Sequence, residues 1–251
     1  MTGGGSGIGK ASALKLAREG ASVAVLSRTP AEIEDTAAEI VAAGGAALAL
    51  TADTSDEQQI RDAVDQTIAH FGRLDIIVAN AGINGVWAPI DDLKPDEWDK
   101  TMAVNLRGTY LTLHLGVPHL KKAGGGSIIV VSSINGTRTF TTPGATAYTA
   151  TKAAQVAMVQ QLALELGRHH IRVNAVCPGA IDTSIPDNTQ ARNQDETEIP
   201  VVWPDGDIPI TAGRPGKSED VAEVIAFLAG DASRHVTGSP IWVDGGQGLL
   251  R

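Results

Sequence analysis

The sequence has a single cysteine, Cys177, few aromatic residues, and no apolar run near the roughly 18 residues that a membrane-spanning helix needs. One cysteine cannot form a disulfide within the chain, and such sparing use is typical of a reducing compartment. Acidic residues outnumber basic ones, with a formal net charge of -9, so we expect no basic surface for nucleic acid. We therefore expect a cytoplasmic protein with neither a membrane nor a nucleic-acid partner.

Short apolar runs alternate with longer stretches of helical periodicity along most of the chain. Strands are predicted at 22–26, 46–52, 74–79, 127–131, 172–176 and 241–243. The main predicted helices are 30–43, one from a Ser55–Gln58 capping box to about 71, 95–121, 145–168 and 218–228. Strands that alternate with helices form a parallel sheet covered on both faces. We therefore predict one α/β domain over residues 1–251, with a doubly wound, Rossmann-type sheet.

A glycine-rich segment precedes the first amphipathic helix. Its residues are Thr2-Gly3-Gly4-Gly5-Ser6-Gly7-Ile8-Gly9. Backbone without side chains lets a phosphate approach closely, and the first N–H groups and dipole of the following helix favour an anion. The spacing differs from the G-x-G-x-x-G fingerprint, so the segment taken alone also fits a flexible terminus.

The end of the strand predicted at 22–26 carries Ser27 and Arg28 and no acid. In dinucleotide-binding folds an acid at this place binds the 2′-hydroxyl of NAD, whereas a nearby arginine accommodates the 2′-phosphate of NADP. The pattern favours NADP. One arginine does not decide the preference, so NAD remains possible, and Arg28 also fits an ordinary surface loop.

Tyr148 and Lys152 are four residues apart at the start of a predicted helix. Side chains at this spacing share one helix face. A neighbouring ammonium favours the phenolate and lowers the pKa of a tyrosine, which would let Tyr148 exchange a proton with an alcohol or carbonyl oxygen. The motif is short and common, so alone it also fits a surface lysine beside a half-buried tyrosine.

Other polar or turn-forming residues follow the ends of further strands. Asn80 and Ser133 come at the ends of apolar runs, and Pro178-Gly179 follows the strand predicted at 172–176. Ligands of open α/β sheets bind outside the carboxyl ends of the strands. We therefore expect these residues to meet Tyr148 and Lys152 in one crevice.

Taken together, these motifs resemble the short-chain dehydrogenases/reductases of the single-domain branch, and the resemblance covers nearly the whole chain. The matching segments are Thr2-Gly3 with Gly7 and Gly9, Asp53, Asn80-Ala81-Gly82, Val104-Asn105-Leu106, Ser133, Tyr148 with Lys152, Pro178-Gly179 with Ile181 and Thr183, and Asp244-Gly245-Gly246.

The resemblance implies a catalytic role for Tyr148 as general acid in ketone reduction and general base in alcohol oxidation. Lys152 would lower its pKa and bind the nicotinamide ribose. Ser133, preferred over the neighbouring Ser132, would orient the substrate oxygen, and Asn105 would hold a water that links Lys152 to solvent. The resemblance and the strand-end pattern together give the expected cofactor contacts as Gly3, Ser6, Gly7, Ile8, Gly9, Ser27, Arg28, Asp53, Thr54, Asn80, Ala81, Gly82, Tyr148, Lys152, Pro178, Gly179, Ile181 and Thr183.

The expected function is hydride transfer between NADP(H) and a ketone or secondary alcohol. An NAD-dependent alcohol dehydrogenase of the same family is the nearest competing function. A nucleotide-sugar epimerase or dehydratase, which has a larger C-terminal domain, and a regulator that only senses the cofactor are less favoured candidates. No metal is assigned, because the histidines lack ligand spacing with partner acids.

Two further expectations concern regions outside the motifs. Residues 181–216 are rich in proline and acid and have no periodicity, so we predict a substrate lid. The resemblance implies a homotetramer paired through the helices near 95–121 and 145–168. The substrate itself depends on residues 83–93 and 134–146 and on the lid, and the sequence does not identify it.

The last expectation concerns the first strand of the fold. In the order 3-2-1-4-5-6 a central strand runs directly into the glycine-rich loop, but only Met1 precedes Thr2 here. An empty place would leave buried backbone groups unpaired, at about 1–3 kcal/mol each. We therefore expect the natural protein to begin some residues earlier. The alternative is that the sheet closes up without this strand.

Overall fold

A computed structural model describes residues 1–183, 189–197 and 208–250 of the chain. The strands are β1 (Val23–Ser27), β2 (Ala47–Thr51), β3 (Ile76–Ala79), β4 (Gly85–Trp87), β5 (Gly126–Val131), β6 (Ile171–Pro178), β7 (Thr189–Ala191) and β8 (Pro240–Val243). The α-helices are α1 (Gly7–Arg18), α2 (Pro30–Ala42), α3 (Glu57–Phe71), α4 (Pro95–Thr101), α5 (Gly108–Ala123), α6 (Thr146–Gly167) and α7 (Ser218–Ala229). None of the helices in these ranges is long and apolar enough to cross a membrane.

All pairs between these strands are parallel. A four-stranded sheet has the order β3-β5-β6-β8, and β1 pairs with β2 in a separate two-stranded sheet. The register of the central pair aligns Val130 with Ala175 and Val131 with Val176. The carboxyl ends of β5 and β6 therefore lie side by side, so that residues 132–133 and 178–179 meet at one edge of the sheet.

Apolar side chains on the two faces of the strands pack under two layers of helices. One face of the strands, with Val25, Val78 and Ile129, packs against α1, α2 and α7. The other face, with Ile128 and Val173, packs against α5 and α6. Alternate side chains of a strand point to opposite faces, so burial on both sides explains why β5 and β6 are almost continuously apolar. The predicted α/β doubly wound architecture is confirmed.

Residues 1–4 lie between β1 and β3, at the place of the expected first strand. The N–H of Thr2 donates to the carbonyl of Val78 at 3.0 Å, and the N–H of Leu26 donates to the carbonyl of Met1 at 2.9 Å. Thr2 also forms a single parallel bridge with Leu26. Next to Met1, a cavity of about 350 Å³ separates the starts of β1 and β3. The sheet has therefore not closed up, and residues 1–4 join its two parts.

Two predicted helix boundaries differ from the structure. The predicted helix 95–121 is interrupted by one π-helical turn, Met102–Arg107, between α4 and α5. The N-cap of α3 is Asp56, whose side chain accepts a hydrogen bond from the N–H of Gln59, so the expected capping box at Ser55 is wrong. The side chain of Ser55 instead donates to Asp53. A π-turn depends on tertiary contacts, which the local pattern does not contain.

Part of the predicted lid has regular structure. Strand β7 pairs with β4, and Ile181 forms a parallel bridge with Gly216. A short 3-10 turn, Pro209–Thr211, lies before α7. Within the predicted lid, residues 184–188 and 198–207 lie outside the described part of the chain.

Candidate active site

A continuous cleft runs across the carboxyl ends of the parallel strands. A cavity of about 220 Å³ lies at one end, and its walls include Ser133, Tyr148 and Lys152. A second cavity, of about 640 Å³, is bounded by Ser27 and Arg28. Both cavities share the walls formed by Gly3, Ser6, Ala81 and Gly82. We call the two parts the Tyr148 end and the Arg28 end of the cleft. Of the expected cofactor contacts, all except Asp53 line one of the two cavities.

The glycine-rich loop forms the floor between the two ends. Gly9 can only be glycine, because a Cβ there would lie 1.8 Å from the carbonyl oxygen of Gly3. Asn80 secures the loop by donating from Nδ2 to the carbonyl of Gly3 at 3.0 Å. Helix α1 begins at Gly7 with its first turn facing the cavity, and Ser6 does not cap it with its side chain. These free N–H groups at a helix start suit a phosphate.

Helix α6 brings Tyr148 and Lys152 to the other wall, one turn apart as the spacing predicts. The Nζ atom of Lys152 lies 5.4 Å from the centre of the Tyr148 ring. Lys152 is buried, and its ammonium donates to the carbonyl of Val131 at 2.9 Å. The hydroxyl of Thr151 donates to the carbonyl of Tyr148 at 2.7 Å, within the same turn. The ammonium of Lys152 is therefore held by a buried hydrogen bond to the backbone of β5.

The two candidate serines have different surroundings. The hydroxyl of Ser132 donates to the carbonyl of Lys152 at 2.8 Å, which joins β5 to α6. Ser133 lines the same cavity as Tyr148 and acts to lower the pKa of its phenol, and its Oγ accepts from the N–H of Asn135 at 3.1 Å. Ser132 thus serves the packing of α6, while Ser133 presents its hydroxyl to the phenol. This geometry favours Ser133 as the serine that meets a substrate.

Asn105 lies below the cleft, in the π-helical turn. Its side chain is fully buried and pairs with both backbone groups of Ile83, accepting from the N–H at 2.8 Å and donating to the carbonyl at 2.9 Å. It also donates to the hydroxyl of Thr151 at 3.2 Å. A Cβ on Gly82 would lie 3.3 Å from Asn105 Oδ1 and 3.7 Å from Lys152 Nζ. The amide and the ammonium therefore converge beneath Gly82, without Asn105 lining either cavity.

The pKa values at this end are governed by burial. Burial raises the pKa of Tyr148, and the hydrogen bond with Ser133 acts in the opposite direction. Burial lowers the pKa of Lys152 to about 8. The expectation that Lys152 brings the pKa of Tyr148 below its ordinary value is therefore wrong for this structure. The reason is that Lys152 directs its ammonium to the Val131 carbonyl, while the apolar wall disfavours the phenolate.

The Arg28 end is open and weakly paired. The guanidinium of Arg28 is 57% exposed, with its Nη1 atom 3.7 Å from Oδ2 of Asp53. Burial alone would raise the pKa of Asp53, but hydrogen bonds from Ser55 and the charge of Arg28 lower it. Asp53 accepts from both the N–H and the hydroxyl of Ser55. Asp53 therefore fastens its own loop, whereas Thr54, Ser27 and Arg28 line the cavity.

The segment after β6 closes the Tyr148 end. The N–H of Gly179 donates to the carbonyl of Val243 at 3.0 Å, which ties the end of β6 to β8. A Cβ on Gly7 would come 3.3 Å from the methyl group of Thr183. The loop after β6 thus folds back over the start of α1. Pro178, Gly179, Ile181 and Thr183 all face the cavity, where the motif predicts them.

Sequence reasoning missed Gln155, which is fully buried beside Asn105. Its Nε2 donates to the carbonyl of Asn105 and to the hydroxyl of Thr109, both at 2.9 Å. Its Oε1 has no hydrogen-bond partner within the described part of the chain. The only signal in the sequence is a glutamine on the apolar face of α6, three residues after Lys152.

The cleft fits a dinucleotide better than a metal ion. Its floor is a glycine cradle that a Cβ at Gly9 would block, and a helix start suited to phosphate lies beside it. Within the described ranges, no group of three or more His, Cys, Asp and Glu side chains is placed to hold a metal ion.

Comparisons with known proteins agree with this geometry. Residues 3–247 match a family model described as enoyl-(acyl carrier protein) reductase. The chain is 37% identical over 248 residues to a 3-oxoacyl-(acyl-carrier-protein) reductase of Thermotoga maritima, covering 98% of this chain and 95% of that protein. It is 34% identical over 250 residues to levodione reductase of Leifsonia aquatica, covering 98% of this chain and 92% of that protein.

Solved structures give the same result. A 3-ketoacyl-ACP reductase from Sinorhizobium meliloti 1021 superposes with a TM-score of 0.98 at 72% identity, covering 100% of this chain and 98% of that chain. A 3-ketoacyl-(acyl-carrier-protein) reductase from Brucella melitensis, solved in complex with NADH, has a TM-score of 0.86 at 35% identity, covering 98% of this chain and 96% of that chain. The chain is therefore an NAD(P)-dependent oxidoreductase and belongs to the single-domain branch of the short-chain dehydrogenase/reductase family.

Proposed function

We propose that this enzyme transfers a hydride between NADP(H) and a ketone or secondary alcohol, with Tyr148 as the general acid and base. The observation that carries the proposal is that Ser133, Tyr148 and the buried Lys152 line the same cavity, with Tyr148 and Lys152 one helical turn apart. The relatives are named for reactions of the same class, among them levodione reductase and cyclohexanol dehydrogenase. Cyclohexanol is a secondary alcohol.

The nicotinamide cofactor, when bound, supplies the hydride acceptor or donor. The loop from Gly3 to Gly9 would hold its phosphates, and Lys152 and Pro178-Gly179 would border its nicotinamide end. Ser133 would donate a hydrogen bond to the substrate oxygen and hold it near the phenol. Exclusion of water from this buried wall strengthens both polar contacts.

Tyr148 would move the proton. In reduction its hydroxyl donates to the carbonyl oxygen, which requires the neutral phenol. Burial raises the pKa of Tyr148, so the neutral form persists to a higher pH than in a free tyrosine. Reduction is therefore expected to decline only as the pH rises through that raised value, while oxidation requires Tyr148 to accept the proton. Asn105, below the Lys152 ammonium, would hold a water that returns the proton from solvent.

The preference for NADP rests on Arg28 and on the absence of an acid at Ser27. NAD is the second candidate, and two observations favour it: Asp53 is 3.7 Å from Arg28 and offsets its charge, and the Brucella melitensis relative was solved with NADH. Direct comparison of the two cofactors in kcat/KM distinguishes these candidates.

The experiment that tests the proposed function is a screen of the purified enzyme. Ketones and secondary alcohols, cyclic and acyl-chain compounds included, are offered with NADPH, NADH and the oxidised forms, and the nicotinamide absorbance is followed. We expect cofactor-dependent turnover of at least one ketone. Cofactor binding without turnover of any carbonyl or alcohol would instead support a cofactor-sensing regulator.

We propose that residues 181–216 act as a lid over the cofactor and substrate. Thr183 faces the start of α1, and the described part of the segment borders both cavities. Hydrogen exchange in this segment should slow when cofactor and substrate are added together. Unchanged exchange would contradict the lid.

We also propose a homotetramer built on α5 and α6. These helices expose apolar side chains, with Leu164 84% and Tyr110 49% accessible to solvent. Small residues on α6, among them Ala153, Ala154 and Ala157, would permit close approach of a second helix. Light scattering at micromolar concentration should give four times the mass of the chain, and a monomer would refute the assembly.

A further inference from the structure

A short segment borders the Arg28 end of the cleft and is fastened to β4 and to the 92–97 segment. Strand β7 pairs with β4 in the register Gly85 with Thr189, Val86 with Gln190 and Trp87 with Ala191. The N–H of Arg192 extends this ladder by donating to the carbonyl of Trp87 at 2.9 Å. We call residues 189–194 the strap. Three-residue strands are marginal alone, so other contacts must hold the strap in place.

The guanidinium of Arg192 supplies those contacts. It donates from Nε to Oδ2 of Asp92 at 2.7 Å, and from Nη1 and Nη2 to the two carboxylate oxygens of Glu97 at 2.8 and 2.9 Å. Nη2 also donates to the backbone carbonyl of Asp92. A guanidinium presents several N–H donors in one plane, and a bidentate carboxylate pair is the strongest arrangement that it forms.

Glu97, one of the acceptors of Arg192, is itself held in place by α4. Glu97 is only 17% exposed in its side chain, and it caps α4 by accepting from the N–H of Lys94 at 3.0 Å. The hydrogen bond from Arg192 lowers the pKa of Glu97 to about 2. The anchoring carboxylate therefore stays ionised at any pH at which the enzyme would be assayed.

The strap borders the cleft near one of its ends and contacts the 134–145 loop at the other. Gln190 lines the cavity at the Arg28 end of the cleft, together with Gly82 and Val86. At the other end, the amide of Gln194 donates to the carbonyl of Pro143 at 3.2 Å, in the loop that leads into α6 shortly before Tyr148. The strap thus connects the wall of the cleft to the loop that leads into α6, the helix that carries the proposed proton donor.

We propose that Arg192 is a positioning residue that pins the strap and thereby holds the 134–145 loop at the substrate side of Tyr148. Arg192 does not reach the reacting atoms. The expected effect on the KM for the ketone rests on the proposed function. The attachment of the strap by Arg192 does not depend on any activity. The strap is hydrogen-bonded to β4, to the 92–97 segment and to Pro143. Loss of the Arg192 hydrogen bonds to Asp92 and Glu97 is therefore expected to loosen the substrate side of the cleft and to leave the glycine-rich loop unchanged.

The test compares Arg192→Gln, Arg192→Lys and Asp92→Asn with the wild type, and Arg73→Gln serves as the control. Arg73 also makes a close ion pair, with Asp75 at 2.7 Å, but lies outside the cleft. Hydrogen exchange at residues 189–192 is measured on the free protein. Loss of the charge-assisted hydrogen bonds to Asp92 and Glu97 should speed this exchange at least about tenfold in Arg192→Gln. Arg192→Lys should give a smaller increase, because one ammonium cannot bridge both carboxylates in the same way.

Kinetics on the same variants test the positioning role. Arg192→Gln should raise the KM for the ketone by more than it lowers kcat, and by a larger factor than it raises the dissociation constant of the cofactor. If hydrogen exchange at residues 189–192 is the same in Arg192→Gln as in the wild type, Arg192 does not hold the strap in place. If exchange is faster but the KM for the ketone is unchanged, Arg192 is not a positioning residue. If the wild type reduces no ketone, the proposed function fails, and the exchange result still decides whether Arg192 pins the strap.

Discussion

At the Tyr148 end of the cleft the polar side chains are held by buried partners, whereas at the Arg28 end they project towards solvent. Lys152 donates to a backbone carbonyl, and Asn105 satisfies both backbone groups of Ile83. Arg28 is 57% exposed, and its Nη1 atom lies 3.7 Å from the carboxylate of Asp53. An exposed pair of this kind contributes little. The buried end is therefore suited to one fixed chemistry, and the open end can change its cofactor preference at little cost to the fold.

The largest expected effect is the loss of turnover when the Tyr148 end is altered. Tyr148→Phe removes the hydroxyl that would donate the proton and should lower turnover at least about 10²-fold. The unfolding transition and the cofactor dissociation constant should stay close to those of the wild type. Tyr110→Phe is the matched control, because Tyr110 is the other tyrosine of the chain and lies on the outer face of α5. Retained turnover in Tyr148→Phe removes Tyr148 from its role.

The second prediction concerns the buried ammonium of Lys152. Burial lowers its pKa from the ordinary 10.5 to about 8. Between those values the unfolded chain binds a proton that the folded chain does not, so the free energy of unfolding rises with pH. Relative to Lys152→Met, the wild type should gain of the order of 3 kcal/mol across this window. Denaturation at several pH values measures the difference.

Lys122→Met, at an exposed position of α5, is the control for this pH series. This variant also removes one lysine, but from the surface, so that it separates the effect of burial from the effect of losing a lysine. Parallel stability curves for wild type and Lys152→Met would contradict the burial of a charged Lys152.

The third prediction concerns Asn105. Asn105→Ala leaves the N–H and carbonyl of Ile83 without their partner, and an unsatisfied buried group costs about 1–3 kcal/mol. The free energy of unfolding should fall by that order. Gln160→Ala, on the exposed side of α6, should change it far less. An unchanged stability of Asn105→Ala would mean that water replaces the amide without cost.

The smallest expected effect is at the Arg28 end. Ser27→Asp combined with Arg28→Ala removes a charge-assisted partner of a 2′-phosphate and introduces a like charge. The ratio of kcat/KM for NADP to that for NAD should fall by about tenfold or more, which corresponds to ~1.4 kcal/mol. Arg61→Ala, which breaks an exposed ion pair on α3, is the control. A wild type that already prefers NAD contradicts the assignment.

The sequence predicts the Tyr148 end well because its elements are long and strongly patterned. Helix α6 starts within one residue of its predicted position, and β5 contains the continuous apolar run 128–131. Their carboxyl ends meet because parallel strands share one direction. Local spacing and sheet topology together are therefore enough to bring Ser133, Tyr148 and Lys152 into one cleft.

The features that the sequence does not predict all depend on contacts between distant segments. Strands β4 and β7 are too short for a periodic signal and pair across about a hundred residues of chain, as the Arg192–Asp92 contact does. The π-turn at Asn105 and the orphaned Gln155 oxygen arise where α6 packs on that turn. The direction of the Tyr148 pKa shift depends on such contacts too, since helical spacing does not reveal how deeply the ring is buried.

The comparison of the two ends of the cleft is tested most directly by measuring kcat/KM with both cofactors in variants of each end. The kcat/KM for ketone reduction is determined with NADPH and with NADH, as a function of pH, for the wild type, for Tyr148→Phe and for Ser27→Asp with Arg28→Ala. We predict that Tyr148→Phe lowers both values by the same factor, whereas the double variant changes their ratio and leaves the pH at which reduction declines where it was. A Tyr148→Phe enzyme with wild-type rates, or a double variant that shifts the pH profile, would contradict the separation of chemistry from cofactor choice.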